Sequence, residues 1–379
     1  MKKIIIIPDS FKGTLSSKEI CDITASRILA HFPDCDAVSI PVADGGEGSV
    51  DCFLAAVGGE SVSVRVKGPF FEELDARYAV IENGKTAVIE MAAAAGLPLA
   101  GERKDPLVTT TYGVGQLMLD AMKRGCPKII LGLGGSCTND AGTGAAAAVG
   151  VRFLDRGGNA FVPVGGTLSD VKSIDVSGKS RLLDSVEIVV MCDIENPLYG
   201  ESGAAYVFAP QKGADSVVVA ALDVGLRHIA AVIRRDLHTD VSVLKGGGAA
   251  GGMGAGMAAF FGSELKAGIE VVLDAAGFDG AARGADLVIT GEGRLDSQSL
   301  GGKAVIGVAR RAKRLNVPVV AVVGGCDYGL GEVYGEGVSC VFTTNRLAED
   351  FSVSRYRARE NLAETVDNIM RLLKIKNAN

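Results

Sequence analysis

The 379-residue chain contains no tryptophan and three histidines, at positions 31, 228 and 238. No histidine has a metal-ligand spacing or lies beside a candidate nucleophile, so histidine-based catalysis is not expected. The motifs G-x-x-x-x-G-K-[ST] and G-x-S-x-G are both absent, which argues against a P-loop enzyme and a hydrolase with a nucleophile elbow. Acid–base chemistry would therefore fall to carboxylates.

The sequence also lacks signals for nucleic acid, membranes and disulfides. Its net charge is −6, and no basic stripe with interleaved aromatic residues occurs. No apolar run approaches the ~18 residues of a membrane span, and the N-terminal apolar run is too short for a signal peptide. The 8 cysteines include no Cys-x-x-Cys pair and are expected to be reduced thiols. We therefore expect a soluble cytoplasmic protein that binds neither nucleic acid nor a membrane.

The length and composition indicate a two-domain α/β enzyme. A chain of 379 residues exceeds the size at which a single core usually stops growing. Hydrophobic residues make up 47%, and the 51 glycines punctuate them throughout. This composition is unlike that of a coiled coil or a disordered chain.

Both ends of the chain read as β-α-β units. Strands are predicted at 4–7, 37–42, 285–290, 317–323 and 338–342, and helices at 16–30, 303–315 and 356–373. We expect the two ends to form one Rossmann-like, three-layer parallel-sheet domain from residues 1–60 and 275–379. Residues 61–274 would form an inserted mixed α/β domain, beginning with an antiparallel meander at 60–90.

Carboxylates follow several predicted parallel strands. Asp9 follows the first strand, Asp44 the second, and Glu292 and Asp296 a later one, while Asp193 follows an apolar run in the middle of the chain. In open α/β sheets this carboxyl edge is where ligands bind, and carboxylates beside glycine loops suit Mg²⁺ and phosphate. Taken singly, each acid could instead cap a turn or form a solvated ion pair, as Arg294 and Asp296 could.

Two glycine-rich segments allow more than one interpretation. Residues 129–144 run from an apolar strand into glycines, hydroxyls and Asp140, and could form a phosphate cradle or an ordinary strand-to-helix turn capped by Asn139 or Asp140. Residues 246–256 contain a literal G-x-G-x-x-G, a weak match in a run with so many glycines. That match favours, as an alternative, a nicotinamide-dependent dehydrogenase of a small hydroxy acid.

Taken together, these blocks resemble the bacterial glycerate kinase family, whose members phosphorylate D-glycerate with ATP. The resemblance covers nearly the whole chain and is carried by eight ordered blocks: residues 8–13, 43–48, 132–136, 138–140, 192–193, 196–198, 208–214 and 290–296. The departures are small: Cys137, Ala141 and Ser299 stand where Ala or Ser, Gly and Thr are expected.

The resemblance implies two α/β domains with the active site in the cleft between them. D-Glycerate and Mg²⁺-ATP would be the substrates, phosphorylation at the 2-hydroxyl would give 2-phospho-D-glycerate, and a homodimer is compatible with it. Asp44, Asp193 and Asp296 are the candidate base and Mg²⁺ ligands, without a choice among them, and Lys12 would neutralise phosphate oxygens. The remaining candidates for binding substrate or phosphate are Asp9, Ser10, Gly134, Gly135, Ser136, Thr138, Asn139, Asn196, Gln211, Lys212, Glu292 and Arg294. Among them, Arg294 and the loop around Ser136 are the candidates for holding the carboxylate of D-glycerate. A non-catalytic ligand sensor on the same scaffold is a third hypothesis, which missing acidic residues would favour, yet every expected carboxylate is present.

Overall fold

The computed structural model describes residues 1–42, 48–297 and 299–376. Asp44, one of the candidate catalytic residues, lies outside this range. By its internal contacts the chain divides into two compact units. Unit 1 comprises Met1–Asp44, Asp51–Gly58 and Ala267–Asn379, and unit 2 comprises Gly45–Val50 and Gly59–Lys266. The domain limits expected from the sequence stay a prediction.

Strands and helices alternate through most of the chain. The strands are β1 Lys3–Pro8, β2 Asp36–Ser39, β3 Glu60–Lys67, β4 Glu73–Ile81, β5 Thr86–Glu90, β6 Lys128–Gly132, β7 Arg152–Leu154, β8 Ala160–Phe161, β9 Ser173–Asp175, β10 Glu187–Met191, β11 Glu264–Lys266, β12 Leu287–Gly291, β13 Arg294–Leu295, β14 Val319–Val323, β15 Gly325–Cys326 and β16 Val338–Thr343. The α-helices are α1 Ser17–His31, α2 Ser49–Val57, α3 Ala92–Ala95, α4 Leu97–Ala100, α5 Tyr112–Lys123, α6 Thr143–Ala148, α7 Ala204–Phe208, α8 Ser216–Leu237, α9 Ala249–Phe261, α10 Gly268–Ala275, α11 Phe278–Ala282, α12 Ala304–Arg314, α13 Glu332–Gly335, α14 Phe351–Ser354 and α15 Ala358–Lys376. Short 3₁₀ helices span Gly165–Asp170, Arg181–Ser185, Pro210–Lys212, Ser299–Gly301 and Arg355–Arg357.

Unit 1 is built on one parallel sheet with strand order β16-β14-β12-β1-β2. Strands from both ends of the chain therefore pair, as predicted, with β1 from the start and β12 from the later part side by side. Alternate residues of β1 and β12 pack with α1 and α15. The other alternate residues point to the opposite face, and α12 packs against β12 and β14. The predicted three-layer α/β architecture is confirmed.

Helix α1 shows how local sequence defines the start of an element. The Ser16 hydroxyl accepts the Glu19 N–H, and the Glu19 carboxylate accepts the Ser16 N–H. This capping box satisfies two N–H groups that the helix cannot pair internally. The predicted cap is therefore confirmed.

Unit 2 is built on a mixed sheet with strand order β11-β10-β6-β5-β4-β3. β3, β4 and β5 pair antiparallel, which confirms the predicted meander, while β5, β6, β10 and β11 are parallel. A second core lies around α7, α8 and the small sheet β8-β7-β9. Among the described residues, α8 is the one helix long and apolar enough to pass a membrane-span test by length and composition. About half of that stretch is buried in the unit, as in the core helix of a globular fold, which passes the same test.

The glycine run at 246–256 packs against the loop 138–142. Ala250, Gly251 and Gly252 have left-handed φ values of 54°, 68° and 91° within the segment assigned to α9. A Cβ at Gly251 would overlap the Thr138 carbonyl oxygen, and the Gly251 carbonyl accepts the Ala141 N–H at 3.0 Å. Close backbone packing within unit 2 therefore explains these glycines, and the G-x-G-x-x-G match needs no dinucleotide.

Replacing Gly251 by Ala tests this packing. The new Cβ meets backbone and the left-handed φ disfavours Ala, so we expect a loss of about 3 kcal/mol and a fall in Tm of about 6–12 °C. Gly280→Ala is the matched control, because nothing lies within 4 Å of a Cβ there and its φ is not left-handed. Thermal unfolding measures both variants, and an unchanged Tm for G251A would contradict the packing argument.

Candidate functional site

Two neighbouring strands of unit 1 end in carboxylates. Asp9 follows β1 and Glu292 follows β12, and the two strands pair in parallel with Pro8 opposite Gly291. The Asp9 N–H donates to the Gly291 carbonyl at 2.8 Å, and the Asp9 carboxylate accepts the Ser10 N–H at 2.6 Å. The pairing therefore brings both acids to the same edge of the sheet.

Glu292 is a buried carboxyl group at this edge. Its side chain is 6% exposed, and its Oε1 has no hydrogen-bond partner in the described part of the chain. Burial raises the pKa of Glu292 to about 7; the charges of Asp9 and Asp296 act in the same direction, and Ser299 and Lys303 oppose them. A carboxyl group with this pKa can exchange a proton near neutral pH.

Three other candidates of unit 1, Asp296, Arg294 and Lys12, differ in burial and in hydrogen-bond partners. Asp296 is half-buried, and its Oδ1 accepts the Ser299 N–H at 3.2 Å. Arg294 is exposed and directs Nε and Nη2 to Asp327 at 3.0 and 2.7 Å, so its partner differs from the one considered from the sequence. Lys12 is exposed on the loop after β1.

The carboxyl ends of three parallel strands of unit 2 also lie side by side at one edge of the sheet. Glu90, Gly132 and Met191 stand in register at the ends of β5, β6 and β10. The loop that begins at Leu133 and the exposed Asp193 therefore leave the same edge.

Lys212 is almost fully buried beside this loop. It lies in the 3₁₀ helix Pro210–Lys212, and its Nζ donates to Ser136 Oγ at 2.9 Å and to the Thr138 carbonyl at 2.6 Å. No ion pair joins Lys212 to a carboxylate in the described ranges. Burial lowers the pKa of Lys212 to about 8, and the nearby Cys137 and Asp140 oppose that shift. The neighbouring Gln211 is exposed.

Asp140 is completely buried and caps α6. Its Oδ2 accepts the Thr111 N–H and hydroxyl at 2.8 Å each and the Gly144 N–H at 3.3 Å, and its Oδ1 accepts the Gly142 N–H at 3.1 Å. Burial raises the pKa of Asp140, and these four hydrogen bonds oppose the shift. The capping interpretation of Asp140 is correct, because its two oxygens accept the Gly142 and Gly144 N–H groups at the start of α6.

Three threonines beside the loop are not among the residues predicted from the sequence. Thr109, Thr110 and Thr111 are buried; Thr109 donates to the Cys137 carbonyl at 3.0 Å, and Thr111 Oγ1 accepts the Ala145 N–H. Three consecutive threonines before a helix are the signal that could have indicated them. The side chains of Thr138 and Asn139 are buried, and their polar atoms have no hydrogen-bond partner among the described residues.

The remaining predicted residues of unit 2 lie in loops. Gly135 is exposed with a left-handed φ of 72°, and its carbonyl accepts the Leu97 N–H; Gly134 precedes it and is half-buried. Asn196 donates from Nδ2 to the Ser202 carbonyl at 2.7 Å. Within the described ranges, no group of three or more His, Cys, Asp or Glu side chains is close enough to hold a metal ion by itself.

The fold, with carboxylates, lysines and glycine loops at the carboxyl ends of parallel strands, is that of an α/β enzyme. The model of the glycerate kinase family matches residues 4–374. The chain is 44% identical to the glycerate 2-kinase of Escherichia coli K12 and 43% identical to the glycerate kinase of Bacillus cereus, over 98% of each chain in both cases. A solved structure described as a glycerate kinase 2 from Salmonella typhimurium LT2 is 42% identical, covers both chains fully and superposes with a TM-score of 0.89. The chain belongs to the glycerate kinase family.

Removing the Asp140 carboxylate tests its structural role. Asp140→Ala leaves four buried donors without an acceptor, so we expect a loss of about 3–5 kcal/mol in unfolding free energy. Asp140→Asn keeps one oxygen and should lose less. Asp184→Asn, on an exposed side chain, is the control, and chemical denaturation is the measurement. Wild-type stability of D140A would refute the role.

Glu292→Gln tests the burial of Glu292 through the pH dependence of stability. The pKa of about 7 in the folded chain lies above the ordinary 4.5, so the folded state binds the proton more tightly. Wild-type stability should therefore fall as pH rises from about 4.5 to 7 and level off above, while Gln stays neutral. We expect E292Q to gain about 2 °C or more in Tm over wild type at pH 8 and nothing at pH 4. The exposed Glu332→Gln should show no such trend, and a pH-independent difference for E292Q would contradict the assignment.

Proposed function

We propose that this protein transfers the γ-phosphoryl group of Mg²⁺-ATP to the 2-hydroxyl of D-glycerate, giving 2-phospho-D-glycerate and ADP. The observation that carries the proposal is the pairing of β1 with β12, which places Asp9 beside Glu292 with Asp296 and Lys303 within electrostatic range. Family membership supports it, because relatives sharing 43–44% of their residues are named glycerate kinase and glycerate 2-kinase.

The residues fit a magnesium ion by their chemistry. Mg²⁺ is usually held by one or two carboxylates together with substrate phosphates and water, so a group of three protein ligands is not required. Glu292, whose buried Oε1 is unpaired, lies beside Asp9 and Asp296. The three carboxylates together are a set of hard oxygen donors. When bound, the ion would neutralise charge on the phosphates. Of the three ligands proposed from the sequence, Asp296 lies among these donors, and Asp193 and Asp44 remain the other two.

The chain's own residues would carry the other parts of the reaction. One carboxylate of Asp44, Asp193 and Asp296 accepts the proton of the attacking hydroxyl. Lys12 neutralises the transferring phosphate oxygens, with Lys303 and Arg294 as further cations at the same edge of unit 1. In unit 2 the loop from Gly134 to Asn139, with Asn196, Gln211 and Lys212, contributes binding of the substrate or of phosphate.

The other two hypotheses have less support. The glycine pattern behind a dehydrogenase is explained by the close packing of Gly251 on the loop at Thr138. A non-catalytic sensor would need no carboxyl group with a pKa near neutral pH, yet the pKa of Glu292 is about 7. As part of the proposal we place the enzyme in the cytoplasm, since all eight cysteines are free thiols, as is usual in a reducing compartment.

Incubation with D-glycerate and Mg²⁺-ATP tests the function directly. We expect ADP release that depends on D-glycerate, and a phosphorus NMR spectrum showing phosphate on the 2-hydroxyl. Absence of turnover at micromolar enzyme would refute the proposal, and a 3-phosphate product would refute its regiochemistry.

Asp193→Asn and Asp296→Asn test the proposed acids. Loss of a base or of a metal ligand should lower kcat by about a hundredfold or more. Asp170→Asn is the matched control on an exposed side chain and should leave kcat unchanged. A variant with near-normal turnover removes that aspartate from the site.

A further inference from the structure

Ser136 lies between a buried charge and the solvent. Both residues are buried, but Ser136 is 7% exposed and Lys212 is 1% exposed, so Ser136 is the nearer of the two to solvent. The Lys212 ammonium donates to Ser136 Oγ at 2.9 Å. Because that oxygen already accepts a hydrogen bond on one side, the hydroxyl proton is directed away from the ammonium and can be donated outward.

The positive charge of Lys212 is not neutralised by an ion pair in the described part of the chain. Its two hydrogen-bond acceptors are neutral, and the titratable groups that face it are Cys137 and Asp140. Burial raises the pKa of Cys137 to about 12, so the thiol carries no charge. The Asp140 oxygens are taken by Thr111 and by the α6 N-terminus. A buried cation without a directly bonded anion is costly and favours an anionic ligand.

Other unpaired polar groups lie on the same loop. The N–H groups of Gly134, Gly135 and Ser136 donate no hydrogen bond within the described residues. The Thr138 hydroxyl and both polar atoms of the Asn139 amide are buried without partners among those residues. Buried polar groups are rarely left unpaired, so the Thr138 hydroxyl and the Asn139 amide point to a ligand of this loop, to which the nearby N–H groups could also donate.

We infer that the Ser136 hydroxyl, oriented by Lys212, binds the carboxylate of the acceptor hydroxy acid, with Lys212 as a positioning residue. The inference rests on the proposed function and names the part of the substrate bound by this loop. One lysine with neutral donors matches a singly charged carboxylate. The polyphosphate of ATP needs several cations, and unit 1 supplies Lys12, Arg294 and Lys303 at its own edge.

Ser136→Ala tests the contact with two measurements. Loss of a hydrogen bond to a charged group should raise KM for D-glycerate about 10-fold to 100-fold while KM for ATP stays unchanged. Calorimetric titration with D-glycerate, in the absence of turnover, should show a rise in Kd of the same size. Ser263→Ala is the matched control, because Ser263 Oγ is also buried and unpaired but lies after α9. A rise in KM for ATP, or an unchanged Kd for D-glycerate, overturns the inference.

Lys212→Met tests the positioning role through pH. The pKa of Lys212 is about 8, and a bound anion favours its charged form, so D-glycerate binding to wild type should weaken as pH rises through 8. K212M should bind D-glycerate at least 10-fold more weakly at pH 7, with no change between pH 7 and 9. The exposed Lys123→Met should behave as wild type. If K212M does not fold, D-glycerate binding to S136A at pH 7 and pH 9 decides. If binding to the wild type depends on pH but S136A binds D-glycerate as tightly as the wild type, the role of Lys212 in orienting Ser136 is overturned.

The experiments can refute the kinase reaction and the carboxylate site at Ser136 independently of each other. D-Glycerate binding that depends on Ser136 but is not followed by ADP release refutes the kinase reaction and supports the carboxylate site. ADP release with unchanged binding in S136A supports the kinase reaction and refutes the site. Uncharged glycerol is the negative probe, and binding as tight as that of D-glycerate would also refute the site.

Discussion

The hydrogen bonds to the buried Asp140 carboxylate are the interaction on which the site of unit 2 depends. Four donors converge on it, from Thr111, Gly142 and Gly144. They fix the start of α6 and hold the loop so that the Thr138 carbonyl faces Lys212. The same loop donates the Ala141 N–H to Gly251, whose lack of a Cβ permits the approach. The loop that accepts the Lys212 ammonium is therefore held by a carboxylate that is itself fully buried.

Unit 2 holds a buried cation and a buried anion near each other without pairing them directly. Each is solvated by neutral groups instead: Lys212 by a hydroxyl and a carbonyl, and Asp140 by N–H groups and a hydroxyl. A direct ion pair would cancel much of the field of the lysine, and a ligand would then have little to bind. Keeping the charges apart leaves positive potential at Ser136, which is less deeply buried than Lys212.

Much of the fold could be predicted from the sequence, because its signals are local. The apolar runs at β1 and β12 indicated buried parallel strands, and Ser16 with Glu19 indicated the start of α1. The acids at the strand ends were found because parallel strands place their carboxyl ends at one edge, which made Asp9 and Glu292 neighbours. These inferences needed the order of elements and no side-chain geometry.

What the sequence did not reveal depends on partners far along the chain. The Arg294 ion pair joins it to Asp327, and the glycines near 251 are required by a loop more than a hundred residues earlier. Lysine is almost never fully buried, so nothing at position 212 indicates a buried ammonium.

Asp140 and Glu292 look alike in sequence, because each is an acid close to glycines, but their hydrogen bonding in the fold differs. Asp140 has four donors and holds structure, whereas Glu292 keeps one buried oxygen unpaired. An unpaired carboxyl oxygen costs stability that a purely structural residue would not need to lose. That difference in hydrogen bonding, rather than the motif, distinguishes Glu292 from the carboxylate that holds the loop in place.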